Sequence, residues 1–254
     1  LAANEKAYAL DRKDPDTLLW RSRIFDHLKR HSDAYETAKT LKKLKPTQVS
    51  VSNHLASLSL REGDYIAAEK HFNDELAISK NAAIAYNALI GKHYNPEYTA
   101  EELSEIAVQW QETYITEHNI SRATTEQRKS KRIRIGLLSN SFRTHPVSQM
   151  ILPALQQVDK REVELFCYTT SQVEDHLTHE IQKATDHWIS VVETTDEQLS
   201  QKIRQDSIDI LIDMNGGGEG SRFTALAKEP APLIVKWVGM LVGTTGLKCF
   251  DYLL

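Results

Sequence analysis

The chain carries two hydrophobic grammars in succession. Over the first hundred residues apolar positions recur every three to four residues, the period of helices with one buried stripe. That spacing predicts helices near 1–11, 16–29, 33–45, 49–62, 65–79 and 82–93. Slid against itself at the tetratricopeptide (TPR) period of about 34 residues, the segment matches by size class. Ala34 falls on Ala68, Ala38 on Phe72, and Ser22 on Ala56 and then Ile90. Ile24 falls on Leu58, and Leu10 on Leu44 and then Ile78. Small residues are expected where the two helices of a repeat cross, and larger ones in the gap to the next repeat. Gly63-Asp64 supplies a turn and Pro46 ends a repeat. The first helix is then the second helix of a repeat that begins upstream. Such arrays stack into a superhelix, and the expectation is that its concave face binds protein partners.

Asn95-Pro96 interrupts the array. Thr99 and Glu102 form a capping box for one more helix through Leu103, Ile106, Ala107 and Trp110. The polar stretch EHNISRATTEQRKSK follows. The expected organisation is TPR-like repeats with a capping helix over 1–116, a linker over 117–131, and a second domain over 132–254. From Ile133 the pattern becomes short, nearly continuous β-branched runs: IRIGLL, VELFCY, WISVV, IDILIDM and LIVKWV. Helix-length segments at 147–157, 174–186 and 196–206 separate the earlier ones. Five strands alternating with helices predict an α/β Rossmann-like parallel sheet covered on both faces.

Composition narrows the classes. With 31 Lys and Arg against 35 Asp and Glu, the formal charge is −4. No basic run marks a nucleic-acid or anionic-membrane surface. No apolar stretch approaches the roughly 20 residues of a membrane helix, and the opening residues lack the basic and apolar regions of a signal peptide. Two cysteines, Cys167 and Cys249, are too few for a disulfide scaffold or a four-thiolate zinc site. A cytoplasmic location is the expectation, and the apolar FDYLL end suggests part of a longer protein.

In a parallel sheet ligands bind beyond the carboxyl ends of the strands. After the first strand comes SNSFRTHPVSQ, with Thr144-His145-Pro146 before a helix. Imidazole can exchange a proton near neutral pH, and Pro at a first helical position leaves the next amides free. A lone loop histidine is equally compatible with a solvated side chain. After the fourth strand comes DMNGGGEGS, including Gly216 and Gly217. It matches neither a dinucleotide fingerprint nor a Walker A loop, so a ligand loop and a flexible turn both stay open. After the fifth strand, Val238-Gly239 leads into Met240-Leu241-Val242 and a hydroxyl-bearing GTTG. His176 and His179 share one helix face without a third metal ligand in view. His187 is expected to cap a strand into which Trp188 packs, and Cys167 to be a buried, inert thiol.

Taken in order, NPEYTAEELSEIAVQW, IRIGLLSNSFRTHPVS, IDILIDMNG, EPAPLIVKWVG and GTTGLKCFDYLL resemble the bacterial SPINDLY-like branch of the O-linked N-acetylglucosamine transferase family, glycosyltransferase family 41. The resemblance implies a TPR superhelix followed by the first half of a glycosyltransferase-B catalytic region. It implies transfer of N-acetylglucosamine from UDP-N-acetylglucosamine to Ser or Thr of protein acceptors, with inversion and without metal or other cofactor. His145 and Pro146 match the family's HisPro pair near sugar and diphosphate. Val238 and Gly239 match the backbone beside the sugar, and Gly216 matches the glycine after strand four. Most nucleotide contacts would come from a second Rossmann-like half, so these residues alone are expected to bind donor weakly. Three positions depart from the family: Ser141 stands where Asp is usual, Gly217 where His or Tyr is usual, and Met240-Leu241-Val242 replace an aromatic-proline pair. They leave a second reading, a TPR scaffold with a degenerate glycosyltransferase domain, and a third, a glycosyltransferase acting on small molecules.

Overall fold

The computed structural model describes residues 1–115, 121–125, 131–216, 220–239 and 246–254. It divides into two compact units, Leu1–Ile106 and Ala107–Leu254. The first is all helix: α1 (Ala2–Leu10), α2 (Pro15–His27), α3 (His31–Leu44), α4 (Val51–Arg61), α5 (Tyr65–Ile78), α6 (Ala82–Lys92) and the start of α7 (Ala100–Tyr114). Helices α2, α5, α6 and α7 begin where a side-chain cap satisfies amides that have no partner within the helix. Asp14 accepts from Thr17 N–H, Asp64 from Ala67 N–H and Asn81 from Ile84 N–H. Thr99 and Glu102 bond reciprocally, as their spacing requires.

The 34-residue register is visible in the packing. Ala34 and Ala68 are both buried, as are Ser22 and Ala56 and the pair Ala38 and Phe72. Helix α2 lies against α3, and α4 against α5. Leu10, Leu44 and Ile78 also occupy equivalent positions, but all three face solvent rather than filling a gap between repeats. A repeat period marks equivalence of position, and equivalent residues can share exposure as readily as burial. Ala68 sits with Ala56, Phe72 and Ala88, so Ala68→Leu is expected to overpack that crossing and cost about 1–3 kcal/mol. Chemical denaturation followed by helical ellipticity measures it, and a neutral result would discard the register.

The second unit contains a sheet of six parallel strands: β1 (Ile133–Ser139), β2 (Val163–Thr169), β3 (His187–Ser190), β4 (Ile210–Asp213), β5 (Leu233–Lys236) and β6 (Tyr252–Leu253). Their spatial order is β3-β2-β1-β4-β5-β6, the doubly wound order of a Rossmann-like fold. The crossovers are α8 (Pro146–Gln157), α9 (His176–Ala184), α10 (Asp196–Gln205) and α11 (Phe223–Ala227). One layer packs Ile151 and Leu155 of α8 and Ile181 of α9 on Leu137, Leu165 and Cys167 of the sheet. Strand β6 and helix α11 go beyond the five strands and three helices that the sequence pattern suggests. Cys167 and Cys249 are both buried, and burial pushes each thiol up to about 12.

The boundary between the units falls inside α7, earlier than the expected residue 116. Trp110 meets Phe223 edge to face at 5.7 Å, and Gln111 Oε1 accepts from Lys248 N–H at 2.5 Å. The described part of the expected linker is likewise bound to the second unit. Arg122 pairs with Glu229 and Asp251 and donates to the Pro232 and Cys249 carbonyls, and Ala123 N–H donates to Glu229 O. Gly217 and Met240-Leu241-Val242 lie outside the described residues. Among those described, no helix is long and apolar enough to cross a membrane.

Candidate functional site

The chain order of a doubly wound sheet reverses direction between β1 and β4, and ligands enter the crevice that opens there. The segments after β1, β4 and β5, which hold His145, Gly216 and Val238-Gly239, all leave the same carboxyl edge of adjacent strands. One hydrogen bond spans the switch point directly: Asn140 N–H donates to Asn215 Oδ1 at 2.7 Å. The other end of Asn215 is held as well, its Nδ2 donating to Gly220 O at 3.3 Å.

His145 is the N-cap of α8, in extended backbone with Pro146 following as the first helical residue. Its Nδ1 accepts the Val147 N–H at 3.2 Å. The neutral ring therefore carries its proton on Nε2, which is left as a donor. Burial lowers the His145 pKa below its ordinary 6.5, and the positive charge of Arg143 lowers it further, so the ring is neutral at pH 7. Pro146 is exposed and contributes a preset φ to the helix start.

The loop is anchored from the neighbouring crossover. Asp175 caps α9 by accepting from Leu177 and Thr178 N–H, and its other oxygen accepts Thr144 N–H at 2.6 Å. The Thr144 hydrogen bond is the main cause holding the Asp175 carboxyl well below the usual range. Thr178 Oγ1 donates to Phe142 O at 2.8 Å, and Phe142 packs on Trp188. Ser141 is buried, its hydroxyl donating to Asn140 Oδ1 at 2.9 Å. A carboxylate thus reaches the His145 loop from Asp175, in another segment, and binds backbone rather than imidazole.

On the other side of the switch point the ends of β4 and β5 are locked together. Gly239 has φ +63°, and a Cβ built there would stand 2.1 Å from Met214 O. At Gly216 a Cβ would stand 2.9 Å from Gly239 O. Both glycines are required because the two loops touch backbone to backbone. Asp213 and Lys236 are partners across β4 and β5, and both side chains are wholly buried, with Nζ 3.2 Å from Oδ2. Burial pushes Asp213 up to about 6 from 3.8, while the Lys236 charge and the Asn215 N–H oppose the shift. Burial lowers the Lys236 pKa. A raised folded pKa means that the folded state binds the Asp213 proton more tightly than the unfolded chain does. Its contribution to stability therefore falls as pH rises from about 3.8 to about 6, with a slope of up to roughly 1.4 kcal/mol per pH unit. Denaturation at stepped pH is expected to show this slope, and Asp213→Asn to remove it.

The structure therefore gathers His145, Pro146, Gly216, Val238 and Gly239 at one edge of one sheet. It does not use His187 as a cap: that residue opens β3, stacks on Phe166 and meets Glu164 Oε1 at 2.9 Å. His176 and His179 lie in α9, and no group of three His, Cys, Asp or Glu side chains among the described residues is placed to hold a metal ion. Sequence reasoning missed Asn140, Asp175 and the Asp213-Lys236 pair. Asp175 carried a local signal in the capping spacing Asp175-x-x-Thr178, and Lys236 one as a charge inside an apolar run, whose meaning the sequence alone does not give.

These features define a Rossmann-like domain with three loops gathered at the strand switch point where such sheets commonly bind ligands. The model of glycosyl transferase family 41 matches residues 98–254, and the chain belongs to that family. It is 36% identical over 124 residues to an Arabidopsis thaliana protein named probable UDP-N-acetylglucosamine–peptide N-acetylglucosaminyltransferase SEC, covering 48% of this chain and 13% of the relative. To the Arabidopsis thaliana protein of the same enzyme name called SPINDLY it is 27% identical over 179 residues, covering 68% of this chain and 19% of that one. The chain thus spans under a fifth of the curated relatives it matches. A solved structure of the K341M mutant of Thermobaculum terrenum O-GlcNAc transferase shares the fold, with a TM-score of 0.87 at 24% identity over 99% of this chain and 49% of that chain.

Proposed function

We propose that this chain is the repeat region and first catalytic half of a protein O-glycosyltransferase. The whole protein would move N-acetylglucosamine from UDP-N-acetylglucosamine to Ser or Thr of protein acceptors, inverting the anomeric centre without a metal. The observation that carries the reading is the convergence of His145, Gly216 and Val238-Gly239 at the β1/β4 switch point of a family 41 domain. Two relatives carry the name probable UDP-N-acetylglucosamine–peptide N-acetylglucosaminyltransferase, which supports this reading. In this role the neutral His145 donates a hydrogen bond from Nε2 to a sugar or phosphate oxygen. The backbone at Gly216 and Val238-Gly239 lines the sugar, and the concave face of the helical repeats receives the acceptor.

One observation favours a scaffold with a degenerate domain instead. Ser141 offers a buried hydroxyl, already bonded to Asn140, where the family carries an acid. Mass spectrometry of host proteins after expression of the full-length protein, with and without His145→Ala, separates the readings. Modified Ser and Thr that depend on His145 support transfer, and unchanged spectra with the intact protein support the scaffold.

A further inference from the structure

Lys236 is a charge placed in an otherwise apolar strand and buried to 1% exposure. Its ammonium donates to three backbone carbonyls at once: Asn215 O at 2.5 Å, Val238 O at 2.9 Å and Asp213 O at 3.2 Å. Three donors are all an ammonium has. Asp213 Oδ2, 3.2 Å away, consequently receives charge but no hydrogen bond. The carboxylate balances the buried cation, and the cation itself organises backbone.

The carbonyls it draws in belong to the peptide units Asn215–Gly216 and Val238–Gly239. In a trans peptide C=O and N–H point in opposite directions. The N–H groups of Gly216 and Gly239 are thereby turned away from Lys236, and neither takes a partner among the described residues. The arrangement also holds Val238 at φ +49°, a left-handed conformation that is unfavourable for a β-branched residue. Strain of this kind persists only where surrounding bonds impose it, and here the Lys236 bond to Val238 O does so. We propose that Lys236 is a positioning residue: by drawing the Asn215 and Val238 carbonyls inward, it presents the Gly216 and Gly239 amides outward as paired donors for the oxygens of a sugar diphosphate. The ligand class rests on the glycosyltransferase reading above, whereas the role of Lys236 in setting the two amides does not.

The test uses the full-length protein and two variants, Lys236→Met and the charge-neutral Lys236→Met/Asp213→Asn, which keeps the fold accessible if the single change leaves an unpaired buried acid. Titrations use UDP-N-acetylglucosamine and, separately, uridine. Hydrogen exchange is followed over 213–216 and 236–239. Displaced donors are expected to weaken UDP-N-acetylglucosamine binding about 10²-fold, to leave uridine affinity unchanged, and to speed exchange in those two segments alone. A folded variant with unchanged UDP-N-acetylglucosamine affinity and unchanged exchange overturns the inference, as does an equal loss for uridine, which would mean general damage. If the unaltered protein binds no UDP-sugar, the glycosyltransferase reading fails, and Lys236 is judged on exchange alone: unaltered exchange in a folded variant refutes it.

Discussion

Replacing His145 by Ala in the full-length protein is expected to slow transfer by about 10²-fold, at the low end of what a positioned proton-handling or hydrogen-bonding group contributes. The low end follows from the ring's local bonds. Its Nδ1 accepts the Val147 amide, so Nε2 already carries the proton and donates, and taking a second proton at Nδ1 would break the cap. Among the described residues no carboxylate orients the imidazole, since Asp175 is committed to Thr144 and to α9. His145 therefore acts through a donated hydrogen bond rather than as a strong base. The alanine variant also loses the helix cap, worth about 1 kcal/mol, and two effects would then be confounded. His145→Asn separates them, because its amide oxygen caps α8 as well as imidazole does while offering nothing at the Nε2 position. The asparagine variant is expected to match the parent in stability and the alanine variant in rate. Full transfer by the asparagine variant would reduce His145 to a cap. The pH response has a fixed sign too. Since the folded pKa lies below 6.5, the unfolded chain binds the proton more readily, and the cap's contribution is lost as pH falls through that range. Activity that depends on neutral imidazole should decline in the same direction.

How much of this site was legible in the chain depends on the distance over which each feature is decided. Strands β1 and β2 are runs of apolar residues long enough to declare themselves, and the rule that ligands gather at carboxyl ends then points to the HisPro, glycine and Val238-Gly239 loops. Strand β6 is two residues long and exists only because β5 offers an edge to pair with. Helix α11 has five residues, too few for a period. Lys236 was visible as a charge inside LIVKWV, but its meaning needs the register that sets it against Asp213, and register is a property of two strands together. The same limit explains the misplaced boundary in α7. The stripe of Leu103, Ile106, Ala107 and Trp110 is continuous, and amphipathicity says that a face is buried without saying against which unit.

The second large effect is expected in the helical unit, at Glu75. This residue stands in the last turn of α5, where a negative charge opposes the helix's own dipole, so its placement must be stabilised from outside. It is wholly buried. Its Oε1 accepts Ser50 N–H at 2.6 Å, and its Oε2 accepts Ser52 and Asn53 N–H at 3.1 and 3.2 Å. These amides belong to the start of α4, whose own N-cap, Ser50, is left-handed at φ +73° and makes no side-chain cap bond. Glu75 thus caps α4 from another helix, and the positive end of α4 compensates the buried carboxylate. Glu75→Ala leaves three amides without an acceptor and opens a void between α4 and α5, at an expected cost of about 3–5 kcal/mol. Glu75→Gln keeps one carbonyl oxygen but turns an NH2 group toward the remaining amides, so it should cost roughly half as much. Denaturation of the variants measures both, and hydrogen exchange should place the loss at Ser52 and Asn53. A cost below about 1 kcal/mol for Glu75→Ala, or protection at those amides unchanged, would mean that solvent or another group caps α4 as well as the carboxylate does.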